Sequence, residues 1–183
     1  MRRAALALIS GAMLFALAAC GRSAGASLSA LRASLEDAAS VTVTASVSSV
    51  TGGRAREYTL ECKSEGGKYA LSVLAPAEIA GVSASYDGSV SQLEFDGLIL
   101  PCGGIDGLSP LTALPELLEA LKSGYETLSW EEGESTLVSL ETDGAAGVTV
   151  ELDSSGLPVG AEFTVSGESA AVCEITQFLI TEA

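Results

Sequence analysis

The chain has 183 residues, 9 of them basic and 24 acidic, with no histidine and a formal net charge of −15 at pH 7. So acidic a surface repels phosphate backbones and anionic lipid head groups, which excludes nucleic-acid binding and argues against electrostatic adhesion to membranes. The missing histidine removes the commonest general base and metal ligand, so hydrolases that pair serine or cysteine with histidine are excluded too.

The N-terminus reads as an export signal. Met1-Arg2-Arg3 is a short basic segment, Ala4 to Ala16 is apolar but for Ser10 and Gly11, and Leu17-Ala18-Ala19-Cys20-Gly21 follows. Small residues at 18 and 19 fit a narrow peptidase cleft, and Cys20 offers the thiol that is acylated before the cut. The apolar run is shorter than the ~20 residues that span a bilayer, and no stop-transfer charges follow it. Residues 1–19 are therefore expected to be a lipoprotein signal. Cys20 is expected to become the acylated first residue of a chain held on the extracytoplasmic side of a bacterial membrane. Two or three acyl chains hold far better than one. Loss of Arg2 and Arg3 leaves seven basic against 24 acidic residues, a net of −17.

Residues 20–27, Cys20 followed by the small, polar run GRSAGAS, read as a lipidated, flexible tether, with residues 28–183 as one domain. Leu28, Leu31 and Leu35 recur at helical spacing, with Ser27 placed to cap an amphipathic helix of about three turns. After Ser40 the period drops to two. Val41, Val43, Ala45 and Val47 alternate with Thr42, Thr44, Ser46 and Ser48, as in a half-buried strand. Further strands are expected over 54–64, 69–76, 82–86, 89–95 and 98–101, the last two flanking Asp96-Gly97, a strong hairpin turn. Residues 102–109 are glycine-rich and read as irregular. Leu111, Leu114, Leu117, Leu118 and Leu121 then form a helical stripe around Pro115. Because proline suits a first helical turn, a short turn followed by a helix over 115–122 is expected, with Gly124 as a left-handed stop. Strands over 125–131, 135–141, 147–152, 158–166 and 170–181 complete the chain. About ten short strands at even spacing mean an antiparallel barrel or sandwich.

With Cys20 consumed by lipid, Cys62, Cys102 and Cys173 remain, and no two have metal-finger spacing. Cys62 and Cys173 sit on apolar faces beside Leu60 and Ile175. They read either as buried thiols or as a disulfide joining an early strand to the last, whereas Cys102 reads as an exposed thiol. The acidic pairs Glu36/Asp37 and Glu131/Glu132 lack the oxygen array of a calcium loop and read as solvated ends and turns. No Ser-x-x-Lys motif surrounds Lys63, Lys68 or Lys122. No catalytic residue, metal or cofactor is expected, and the chain is not expected to be an enzyme.

Two segments carry a family likeness: Tyr69–Pro76 followed by Val82–Gly88, and Val148–Val159 with its Asp-x-x-Gly-Leu-Pro turn. In this order of lipobox, tether, helix, meander, helical excursion and second meander the chain resembles the LolA/LolB-like superfamily of lipoprotein carriers and related envelope lipoproteins. The resemblance implies an α+β, mainly antiparallel β fold: a strongly curved, incomplete barrel, with an N-terminal helix and a short helical lid on its concave face. It also implies an apolar cavity for acyl chains, lined by Leu111, Leu114, Leu117, Leu118, Leu121 and Trp130, with Phe178 equally well placed. The same leucines would serve to plug a filled core, and periodicity does not separate the two. The expected partners are thus a lipid or other apolar ligand and the membrane, with a monomer as the expected state. The rival reading is a filled, structural or adaptor lipoprotein that binds an envelope protein through its acidic face.

Overall fold

The computed structural model describes residues 24–182, except 52–53, 88–89, 106–107 and 143–145. The signal segment, Cys20 and the side chain of Cys102 lie outside the described residues. Among the described residues two helices, α1 (Ala24–Glu36) and α2 (Pro110–Ser123), accompany eleven strands. The first six are β1 (Ala38–Thr51), β2 (Arg54–Glu65), β3 (Lys68–Ala75), β4 (Ser83–Tyr86), β5 (Val90–Phe95) and β6 (Leu98–Ile105). After α2 come β7 (Tyr125–Glu132), β8 (Ser135–Glu141), β9 (Ala146–Leu152), β10 (Pro158–Val165) and β11 (Glu168–Glu182).

The strands form one antiparallel sheet in the order β6-β5-β4-β3-β2-β1-β11-β10-β9-β8-β7. It consists of two meanders, β1–β6 and β7–β11, joined where the first and last strands pair, with Val43 opposite Phe178 and Val47 opposite Cys173. The sheet is curved but not closed, because its two edges, β6 and β7, do not pair with each other. Tight turns set the register within each meander. Gly66-Gly67 and Asp96-Gly97 both take positive φ, as two-residue hairpin loops require to match strand twist.

Alternation places one face of every central strand inward. Val41, Val43, Ala45 and Val47 are buried, as are Leu60 and Cys62 on β2, Leu71 and Val73 on β3, and Val150 and Phe163 on β9 and β10. α2 packs across this face, touching β1, β2, β4, β8 and β11, and α1 packs beside it against β1, β7 and β8. The chain between the two open edges is therefore the helix that covers the sheet.

The helices differ from expectation at three points. α1 begins at Ala24, so Ser27 lies inside the helix rather than at its cap, and the later part of the expected tether is helical. α2 begins at Pro110 rather than Pro115. Ser109 caps it, its hydroxyl accepting from the Thr112 amide while the Thr112 hydroxyl accepts from the Ser109 amide, and Pro110 fills the first turn. That reciprocal cap outweighs the amide that Pro115 lacks. Gly124 has φ −59°, not the left-handed value expected of it. It is needed there for space, since a Cβ would stand 2.5 Å from the Ala120 carbonyl oxygen. β6 also runs on through Ile105, over part of the segment read as irregular.

Candidate functional site

The site of interest is α2 and its seat. Leu114, Leu117, Leu118 and Leu121 line the inner face of the helix, and none of them has any exposed surface. A side chain bordering a hollow the size of a water molecule would show accessible area there. The four leucines therefore meet solid packing, and the cavity that the family likeness implied beneath them is not preformed. Leu111 and Phe178 are half-buried and packed against the core. Trp130, on β7, is half-buried. The clefts around the domain are partly open to solvent, and one of about 430 Å³ lies beside Tyr69 and Tyr86. One of about 190 Å³ lies between α1 and the β9–β10 turn, lined by Ser27, Ala30, Leu31, Leu157 and Ile180 among others.

The polar margin of α2 is tied to the sheet by side chains. The Tyr69 hydroxyl donates to Glu119 Oε1, and the Tyr86 hydroxyl donates to Glu116 Oε1 at 2.9 Å. Lys122 Nζ donates to Ser64 Oγ at 3.3 Å and to the Tyr69 hydroxyl at 3.2 Å, and stands 5.2 Å from the Tyr69 ring centre. The rings of Tyr69 and Tyr86 meet edge to face with centroids 5.8 Å apart. Periodicity marked the leucines but not this margin. The signal was the spacing Glu116, Glu119, Lys122, a polar stripe three residues apart beside the apolar one.

At the C-terminal end of α2, Arg32 of α1 donates through Nε to the Leu121 carbonyl at 2.9 Å and through Nη2 to the Gly124 carbonyl. A cation there satisfies carbonyls left free by the end of the helix and complements its dipole. Replacing Arg32 with alanine is expected to cost about 1–3 kcal/mol, because charge-assisted bonds to partly buried carbonyls are lost. Urea unfolding of the unlipidated chain measures it, and a loss below ~0.5 kcal/mol would show the two helices to be independent.

The cysteine alternatives resolve toward thiols. Cys62 and Cys173 are free and buried. Cys62 lies opposite Val43 on one side of β1 and Cys173 opposite Val47 on the other, so a whole strand separates them and the disulfide considered from the sequence does not form. Burial pushes both thiols up to about 12, with Lys122 opposing the shift at Cys62. Burial and the hydrogen bond to Glu116 push the Tyr86 hydroxyl up to about 12, and burial with Glu119 raises Tyr69 as well. All four groups are held neutral in the fold. Their contribution is complete below the ordinary values of 9 for thiol and 10 for phenol, and is lost as pH climbs toward 12. The urea midpoint should therefore fall from about pH 9 upward. A Cys62→Ala/Cys173→Ala double variant should delay the onset to about pH 10, where the tyrosines begin to titrate; an onset that does not move would contradict the burial of the thiols.

No protein-family model matches the chain, and no curated protein matches its sequence. Among solved structures it is similar to an uncharacterized conserved protein from Thermus thermophilus, at 14% identity and a TM-score of 0.48 over 88% of this chain and 90% of that one. It is also similar to a LolA superfamily protein from Nitrosomonas europaea, at 11% identity and a TM-score of 0.44 over 84% and 94% of the two chains. A third is a putative outer membrane lipoprotein-sorting protein domain from Vibrio parahaemolyticus, at 10% identity and a TM-score of 0.43 over 84% and 90%. At 10–14% identity each of these is a likeness of outline alone.

Proposed function

We propose that the chain is a lipoprotein of the bacterial envelope, tethered through Cys20, that takes an acyl chain or other apolar ligand between α2 and the sheet when α2 lifts. The observation that supports this is the division of labour on α2. Its inner face is leucine and alanine against an equally apolar seat. Its hold on the strands is by side chains at the margin, and among the described residues no backbone hydrogen bond joins it to a strand. A lifted helix leaves no strand unpaired. A ligand entering beneath it is covered by the same leucines, so the helix closes on acyl chain instead of on protein. Each buried methylene contributes ~0.8 kcal/mol toward the exchange.

A second reading rests on the complete burial of Leu114, Leu117, Leu118 and Leu121. A core already filled has no need of a ligand, and the domain then acts as a tethered adaptor through its acidic surface. Native mass spectrometry of the secreted Cys20→Ala chain separates the two. Co-purifying lipid, or uptake of a fluorescent fatty acid, supports the first reading. An empty protein that takes up no fatty acid rejects it and leaves the adaptor.

A further inference from the structure

β5 and β6 form an apolar outcrop at one edge of the sheet. Leu98, Ile99 and Leu100 are 66%, 61% and 56% exposed, and among the described residues no other run of consecutive large apolar side chains stands in solvent. Phe95, opposite Leu98, is exposed as well. Pairing in the hairpin sets Phe95, Leu98 and Leu100 toward one face and Ile99 toward the other. β6 carries no charged residue along its length, in a chain whose net charge without residues 1–19 is −17.

We infer that the β5–β6 hairpin rests shallowly on the bilayer that holds the chain, an inference that presupposes the Cys20 anchor proposed above. Three residues separate Cys20 from Ala24, where α1 begins. That is at most about 14 Å of extended chain. A domain of this size has a radius of gyration of about 15 Å, so on so short a leash its surface lies against the membrane. The leash enters at α1, which packs against β1, β7 and β8, so it brings the domain close without choosing the hairpin at the opposite edge; charge and apolarity choose that face. Acidic faces stay away from lipid phosphates, and the uncharged strand does not. A second copy of the chain brings the same negative charge and is disfavoured as the occupant. Depth is limited by the backbone. As an edge strand β6 has unpaired amide and carbonyl groups, which keep it in the hydrated head-group layer and out of the hydrocarbon. Glu94 and Asp96 border the strip and remain in water.

The test uses the Cys20→Ala chain without residues 1–19, so that nothing but the protein surface can bind. It is sedimented with sucrose-loaded vesicles of pure phosphatidylcholine at millimolar lipid. Partition into the vesicle pellet is expected. Leu98→Ser/Leu100→Ser, at two exposed positions, should weaken it at least about tenfold, and so should admixture of phosphatidylglycerol through charge repulsion. Absence from the pellet, or partition that the double variant leaves unchanged, overturns the inference and points to a protein partner for the hairpin. Failure here leaves retention through Cys20 untouched. Failure of that retention in cells leaves the vesicle result to stand on its own.

Discussion

Replacing Cys20 with alanine, behind an export signal whose cut does not depend on acylation, is expected to release the protein from the membrane into the soluble extracytoplasmic fraction. The acyl group is the strongest attachment in the proposed scheme. Each buried methylene is worth ~0.8 kcal/mol, and a diacylated or triacylated cysteine carries two or three long chains where one alone binds only marginally. Nothing described elsewhere in the chain replaces them. No helix among the described residues is long and apolar enough to cross a membrane, and the acidic surface repels anionic lipid. The β5–β6 hairpin contributes a partition that needs millimolar lipid, which washing reverses. Fractionation of cells expressing the wild-type and Cys20→Ala chains, followed by immunoblotting, should therefore show a nearly complete transfer between fractions. Unchanged membrane retention would refute the anchor.

Leu118→Ala should destabilise the domain by about 2–5 kcal/mol, the range for truncating a fully buried leucine where neighbours relax only in part. Leu118 has no exposed surface and faces the sheet from the middle of α2, beside Leu114 and Leu121. The magnitude depends on what lies beneath it. A leucine that borders a hollow already lacks contacts on one side, so trimming it forfeits little. One that meets solid packing loses its contacts and leaves a cavity. Urea unfolding of the unlipidated chain, with and without the substitution, distinguishes the two. A loss under ~1 kcal/mol would mean that the interior is looser than the burial of these side chains indicates. A large loss accompanied by gain of fatty-acid binding would be informative in another way, because the cavity created lies where the proposed ligand enters.

Much of the strand pattern is legible in the residues themselves. The alternation at Val41–Val47 and Tyr69–Val73, and the turns at Gly66-Gly67 and Asp96-Gly97, place strands and hairpins to within about four residues at their ends, since a pleat and a tight turn each demand particular residue types. Less local features are not legible in this way. Alternation says that Val43 faces inward but not that Phe178 lies across from it, because pairing partners far apart in the chain leave no local mark. Pro115 invited a helix start that the Ser109–Thr112 cap places a turn and a half earlier. The leucine stripe of α2 identifies the buried face, yet a stripe suits a lid over a ligand and a plug in a core equally well. Arg32 gave no hint of its role, since its partners are carbonyls about ninety positions away in the chain.

The pairing of β1 with β11 has a consequence for biogenesis. The Thr176 hydroxyl bonds to the Thr44 carbonyl across 132 positions of sequence, so the midline of the sheet joins the earliest strand to the last. During synthesis β2 can zip onto one side of β1 as it emerges, but the other side stays open until almost the whole polypeptide has been made. Contacts of such long range carry a large loop-closure cost and make folding slow. The vulnerable interval is therefore the last stage of chain growth, when the first meander waits with an unpaired central strand and neither helix has a finished surface to cover.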